Sequence, residues 1–213
     1  MPPQARVVPR FAAEPSQEGV PYGRWQERLR SELLAACETL NTDGVDIGEV
    51  GEIVFYPERS WHGHAYVPAT AITADGYELF GYVRFIPARD GSEPSGFTTK
   101  VDFTEQTAER NPQWRLDVCD EVIGSWRGAG GALAAMTLVW GRPLLPGGRI
   151  ATAELGDLTV DQCELFDERF TLIAPDDYRG DLLEIKLWSG KGQELARESL
   201  YEDEAQEQGQ QDA

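Results

Sequence analysis

The stretch FTTKVDF, residues 97–103, sets Phe97, Thr99, Val101 and Phe103 against Thr98, Lys100 and Asp102. Successive side chains of a strand point to opposite faces, so a period of two marks a half-buried strand. QWRLDVC, residues 113–119, repeats the pattern with Trp114, Leu116 and Val118. Working outward, residues 52–56, 62–72, 77–87, 132–140, 149–155, 169–174, 182–188 and 193–201 are rich in β-branched and aromatic residues and read as strands. Asp75-Gly76 and SGKG (189–192) fall between such runs as hairpin turns, and the glycine-rich RGAGGAL (127–133) reads as another strand connection. No helices alternate with these strands, which argues against a parallel α/β fold. The expectation is an all-β protein, an antiparallel sandwich or closed barrel of about ten strands.

The exception lies before them. In YGRWQERLRSELLAACETL, residues 22–40, Trp25, Leu29, Leu33, Ala36 and Leu40 recur at spacings of three and four, the stripe of an amphipathic helix, and Asn41 to Gly44 supplies its stop. Residues 1–20 hold four prolines and read as a flexible arm. Residues 21–201 are expected to form one β-rich domain, and 202–213, EDEAQEQGQQDA, read as a disordered acidic tail.

Composition narrows the function. With 37 acidic against 19 basic residues the net charge is −18, which repels phosphate backbones, and no basic patch offsets it. Nucleic-acid binding is not expected. No apolar leader or membrane-length run is present, and the three cysteines form no CxxC pair, so a soluble protein of the reducing cytoplasm is expected.

SWHGHAYVP, residues 60–68, holds both histidines of the chain. On one continuous strand His62 and His64 would project to the same side, about 6–7 Å apart at Cα. That spacing can chelate an ion, but a site needs a third ligand. Glu58 shares their parity and reaches them only if the chain turns near Arg59. A two-residue loop at Asp75-Gly76 would pair Ile72 with Leu79 and Tyr66 with Phe85, placing Glu78 on the opposite, polar face. No tight metal site and no cofactor are therefore expected.

The remaining signals are weaker. The G-x-S-x-G elbow is absent, and RGAGGAL lacks the residues of a phosphate-binding loop. Cys119 lies between Asp117 and Asp120, whose charges disfavour a thiolate. APDDYRGD, residues 174–181, lacks the alternating ligands of a calcium loop. Among six tryptophans, Trp61 and Trp126 are the candidates for an exposed binding surface for sugars or a protein, although strand aromatics are usually half-buried packing residues. The function expected first is a non-enzymatic binding or assembly module acting through protein–protein contacts or self-association. The alternative is a small-ligand-binding or metal-dependent β-barrel enzyme using His62 and His64.

Overall fold

The computed structural model describes residues 14–15, 23–88, 93–128, 131, 133–156, 158–176 and 181–200. Apart from Glu14–Pro15, the expected N-terminal arm lies outside them, as does the acidic tail. The helix α1 runs Gly23–Cys37 rather than to 40, because the chain tightens there: Thr39 and Leu40 donate to the carbonyls three residues back, at Ala36 and Cys37.

Thirteen antiparallel strands are present among the described residues, arranged in three sheets. The first sheet runs β1 (Glu14–Pro15), β3 (Arg59–Trp61), β4 (His64–Ile72), β5 (Glu78–Ile86), β6 (Ser95–Thr104), with β2 (Val54–Phe55) beside β4. A second has the order β11 (Phe170–Asp176), β8 (Leu133–Pro143), β7 (Leu116–Arg127). The third has the order β10 (Leu158–Glu164), β9 (Gly148–Leu155), β12 (Leu183–Ser189), β13 (Glu194–Ser199). The expected all-β class holds, and the closed barrel does not: each sheet stays open. The physical reason lies in strands that carry buried side chains at both parities. β4 from Ala65 to Ala71, β8 from Met136 to Gly141 and all of β11 are buried throughout. Strands with two apolar faces are satisfied by stacked layers, whereas a small barrel leaves one face of each strand to water.

Three core clusters fill the layers. Leu29 and Leu33 of α1 meet Ala65, Val67, Ala69, Ala71, Leu79, Val83 and Phe85, the odd-numbered face of β4 and β5. Tyr56 and the even-numbered Tyr66 of the first sheet meet Met136, Leu138, Trp140 and Ile173 of the second. Val139, Phe170, Leu172 and Ala174, on the reverse of that sheet, join Ala151, Ala153, Leu183, Ile185 and Leu187 of the third. A buried ion pair ties all three sheets. Arg59 of β3 reaches Asp161 of β10, whose carboxylate also accepts the Ile173 N–H of β11 at 2.9 Å. A register shift between Thr159 and Asp161 interrupts the β10 ladder beside this contact.

The β4–β5 hairpin corrects the expected register by one residue. Gly76 N–H donates to Thr73 O and Thr73 N–H to Tyr77 O, which closes a three-residue loop with Gly76 at φ 80°. Ile72 therefore faces Glu78, Ala71 faces Leu79 and Ala65 faces Phe85. A one-residue slip moves every side chain to the other face. Glu78 thus shares the face of Tyr66, Phe80 and Tyr82, against the second sheet, instead of a polar outer face. Pro68 sits within β4 where Tyr56 N–H donates to its carbonyl at 2.9 Å, so its missing N–H points at the break between β2 and β3.

Candidate functional site

The histidines lie at a tight turn. Trp61 and His64 pair, and His62 (φ 51°) and Gly63 (φ 77°) form the two-residue loop between β3 and β4. Both left-handed conformations match a type I′ turn. His62 is exposed and His64 half-buried, and His64 Nδ1 lies 3.2 Å from the His62 carbonyl oxygen. The two rings therefore do not project side by side from one extended strand. Glu58 stands half-buried just before β3. Among the described residues no group of three or more His, Cys, Asp and Glu is disposed to hold a metal ion. Trp61 lies over Gly124 of β7, where two of its ring carbons stand 2.9 Å from the place a Cβ would occupy. Trp126 is half-buried and packs against two of the cores. None of these two tryptophans and two histidines lines the cavity found among the described residues.

That cavity opens elsewhere, where the β2–β4–β5 corner of the first sheet meets the end of β8 and the β10–β11 turn. It holds about 440 Å3, within the range of small-ligand sites, roughly 300–1,000 Å3. Tyr56, Thr70 and Glu78 line it from the first sheet, Arg142 and Pro143 from β8, and Asp167, Glu168 and Arg169 from the turn. Val54 and Ile72 add exposed apolar surface, at 38% and 52%.

Glu78 is the unusual group. It is only 7% exposed, and among the described residues its carboxyl accepts no hydrogen bond and forms no ion pair. Burial pushes its pKa from 4.5 up to about 7; the neighbouring Asp117 adds to the rise and Arg142 opposes it. Asp117, also buried, accepts a hydrogen bond from Arg142 Nε–H at 3.0 Å. These two carboxyl groups thus sit close enough to influence one another while only one of them has a guanidinium partner. The Tyr56 hydroxyl lies 3.4 Å from Thr70 Oγ1, and burial holds it well above the usual tyrosine range. Burial, then Glu78, Asp117 and Asp120, raise the Cys119 thiol behind the site. The direction is that expected from the two aspartates, with burial as the larger cause.

The turn that closes the cleft is strained. Phe166 and Arg169 exchange backbone hydrogen bonds at 2.9 and 3.0 Å, leaving Asp167 and Glu168 as a two-residue loop at φ 50° and 58°. Left-handed backbone costs a non-glycine residue roughly 1–2 kcal/mol, and Asn-Gly is the usual solution for such a loop. Here two acidic residues occupy it. Arg169 anchors the turn by donating to Phe55 O at 2.7 Å, to Asp167 O at 3.2 Å and to the Asp167 carboxylate.

No family model, curated protein or solved structure matches this chain. Its chemistry is therefore argued from the cleft itself. Sequence reasoning passed over Glu78, Asp117, Arg142 and Arg169 as parts of one site. The available signal was Glu78 on a strand whose same-parity neighbours, Phe80 and Tyr82, are aromatic; the wrong hairpin register hid it. Among the described residues no helix is long and apolar enough to cross a membrane.

Proposed function

We propose that the protein is a binding module that takes a polar group of its partner into the cleft around Glu78. The observation that carries this reading is Glu78, a largely buried residue that faces the cavity and whose carboxyl accepts no hydrogen bond from the described residues. Its carboxyl oxygens open to the cleft, where a ligand bearing donors can reach them. The strained Asp167-Glu168 turn supports it, because unfavourable backbone tends to persist at ligand-holding positions. The two apolar residues beside the cleft, Val54 and Ile72, suit contact with a protein partner, in line with the function expected first.

The test is a thermal-shift panel of small organic cations, carboxylates, polyols and amides, run on the wild type and on Val54→Arg, which crowds the cleft. At least one class should stabilise the wild type and not the variant. A panel that stabilises neither would defeat the proposal.

A second reading has its own observation. Two neighbouring carboxyl groups with different partners are a recurring acid/base arrangement, so Glu78 could serve an enzyme as proton donor beside Asp117. Turnover of a bound ligand that Glu78→Gln abolishes while binding persists would select it. The reading that uses His62 and His64 has no comparable support, since neither lines the cleft.

A further inference from the structure

We propose that the group the cleft receives is an organic cation on a short aliphatic stem, an alkylammonium or alkylguanidinium, and that its arrival displaces the proton held by Glu78. This deepens the reading above and rests on it.

Charge points to a cation. Four carboxylates and two guanidiniums line the cavity. Both guanidiniums are already bonded to carboxylates, Arg142 to Asp117 and Arg169 to Asp167. Glu52, Glu78 and Glu168 have no ion-pair partner among the described residues. An anionic ligand would have to displace an existing ion pair and face these three; a cation meets them directly.

Shape points to an organic cation. No three carboxylates are grouped as metal ligands among the described residues, so the negative charge is spread along the cavity instead of converging on one point. Ammonium and guanidinium groups carry three and five N–H donors, able to serve separated acceptors. Val54 and Ile72 then offer apolar surface for the methylene stem, in the way lysine and arginine stems cover apolar surface while their heads stay polar.

The groups around Glu78 account for the proton. Asp117 and Cys119 of β7, Arg142 of β8 and Tyr56 all influence or adjoin its environment, and the only cation among them is engaged by Asp117. A second cation placed against Glu78 stabilises its charged form, so the proton passes to solvent as the ion pair forms. No bond other than this O–H is broken.

The experiment is isothermal titration calorimetry near pH 7 with n-butylguanidinium, n-butylammonium, butyramide, butyrate and the tripeptide Gly-Arg-Gly, each in phosphate and in Tris buffer. The two cations should bind, and the buffer dependence of the heat should report release of about half a proton, the fraction Glu78 holds near its titration midpoint. Glu78→Gln, a neutral variant of the same shape, should weaken them at least about tenfold and abolish the proton release. Tripeptide binding tighter than n-butylguanidinium would name a protein side chain as the source of the cation; the reverse would name a free small molecule. Butyrate binding as well as the cations, or cation binding without proton release, would overturn the inference. Binding by butyramide alone would overturn it while leaving the cleft as a binding site, and no binding by any probe, with an empty thermal-shift panel, would remove both.

Discussion

Replacing Glu78 with glutamine should make the protein more stable, by an amount that grows with pH. A carboxyl whose pKa is raised in the folded state binds its proton more tightly there than when unfolded. Stability is then lost as pH rises from the unfolded value towards the folded one, and the loss levels off above it. For Glu78 that window runs from 4.5 to about 7. At ~1.36 kcal/mol per pH unit the full penalty at pH 8.5 is about 3.4 kcal/mol, and at pH 5.5 it is about 1.4 kcal/mol. Water in the open cleft screens the charge, so about half of each figure is expected. Glutamine cannot ionise, so Glu78→Gln should exceed the wild type by about 0.7 kcal/mol at pH 5.5 and about 1.7 kcal/mol at pH 8.5, the latter a rise in Tm of roughly 3–7 °C for a chain of this size. Urea titrations of both proteins at the two pH values measure it. Parallel stability curves, with no divergence as pH rises, would refute the claim that Glu78 is held protonated by burial.

Four further outcomes follow from the same geometry. Asp161→Ala strands buried Arg59 and should cost about 3–5 kcal/mol in urea unfolding, whereas Arg59→Met with Asp161→Leu should recover most of that loss. Glu168→Gly relieves one left-handed non-glycine residue and should gain about 1 kcal/mol in thermal unfolding while weakening whatever cation the cleft binds. Gly81→Ala would set a Cβ 2.1 Å from the Lys100 carbonyl oxygen of the adjacent strand; it should cost more than about 3 kcal/mol or prevent folding, read as loss of near-UV circular dichroism. His62→Asn makes the β3–β4 loop Asn-Gly and should raise Tm slightly, with cleft binding unchanged by calorimetry.

Much of the architecture could be read from the chain. Period-two alternation located β6 and β7, and the turn residues at 189–192 mark a real hairpin, closed by Ser189 N–H to Gln193 O at 2.8 Å. β10 escaped because its ladder is irregular at Thr159–Asp161, where the alternation breaks and a half-buried aspartate faces an arginine from another sheet. The apolar runs of β8 and β11 signalled burial on both faces but not which sheets would cover them, since that choice depends on contacts far apart in the chain. The candidate site was less legible still. Its residues come from Glu52 to Glu78, from Asp117, from Arg142 and from the 167–169 turn, and no local pattern links them. The placement of Glu78 hung on one loop, two residues long by the usual reading of Asp-Gly and three in the structure.

The three cores divide the chain in an instructive way. The helix core is built wholly from residues 25–103 and the last core wholly from residues 116–200, so each of these spans owns an interior. The middle one belongs to neither: Tyr56 and Tyr66 come from the first span, Met136, Leu138, Trp140 and Ile173 from the second. The cleft opens along that same seam, with Glu78 on one bank and Arg142 and Arg169 on the other. Whatever fills it would act as a clasp, resisting any sliding of one span across the other. The two spans produced as separate polypeptides would each bring half of the clasp to their reunion, and the occupant of the cleft would set how firmly they hold.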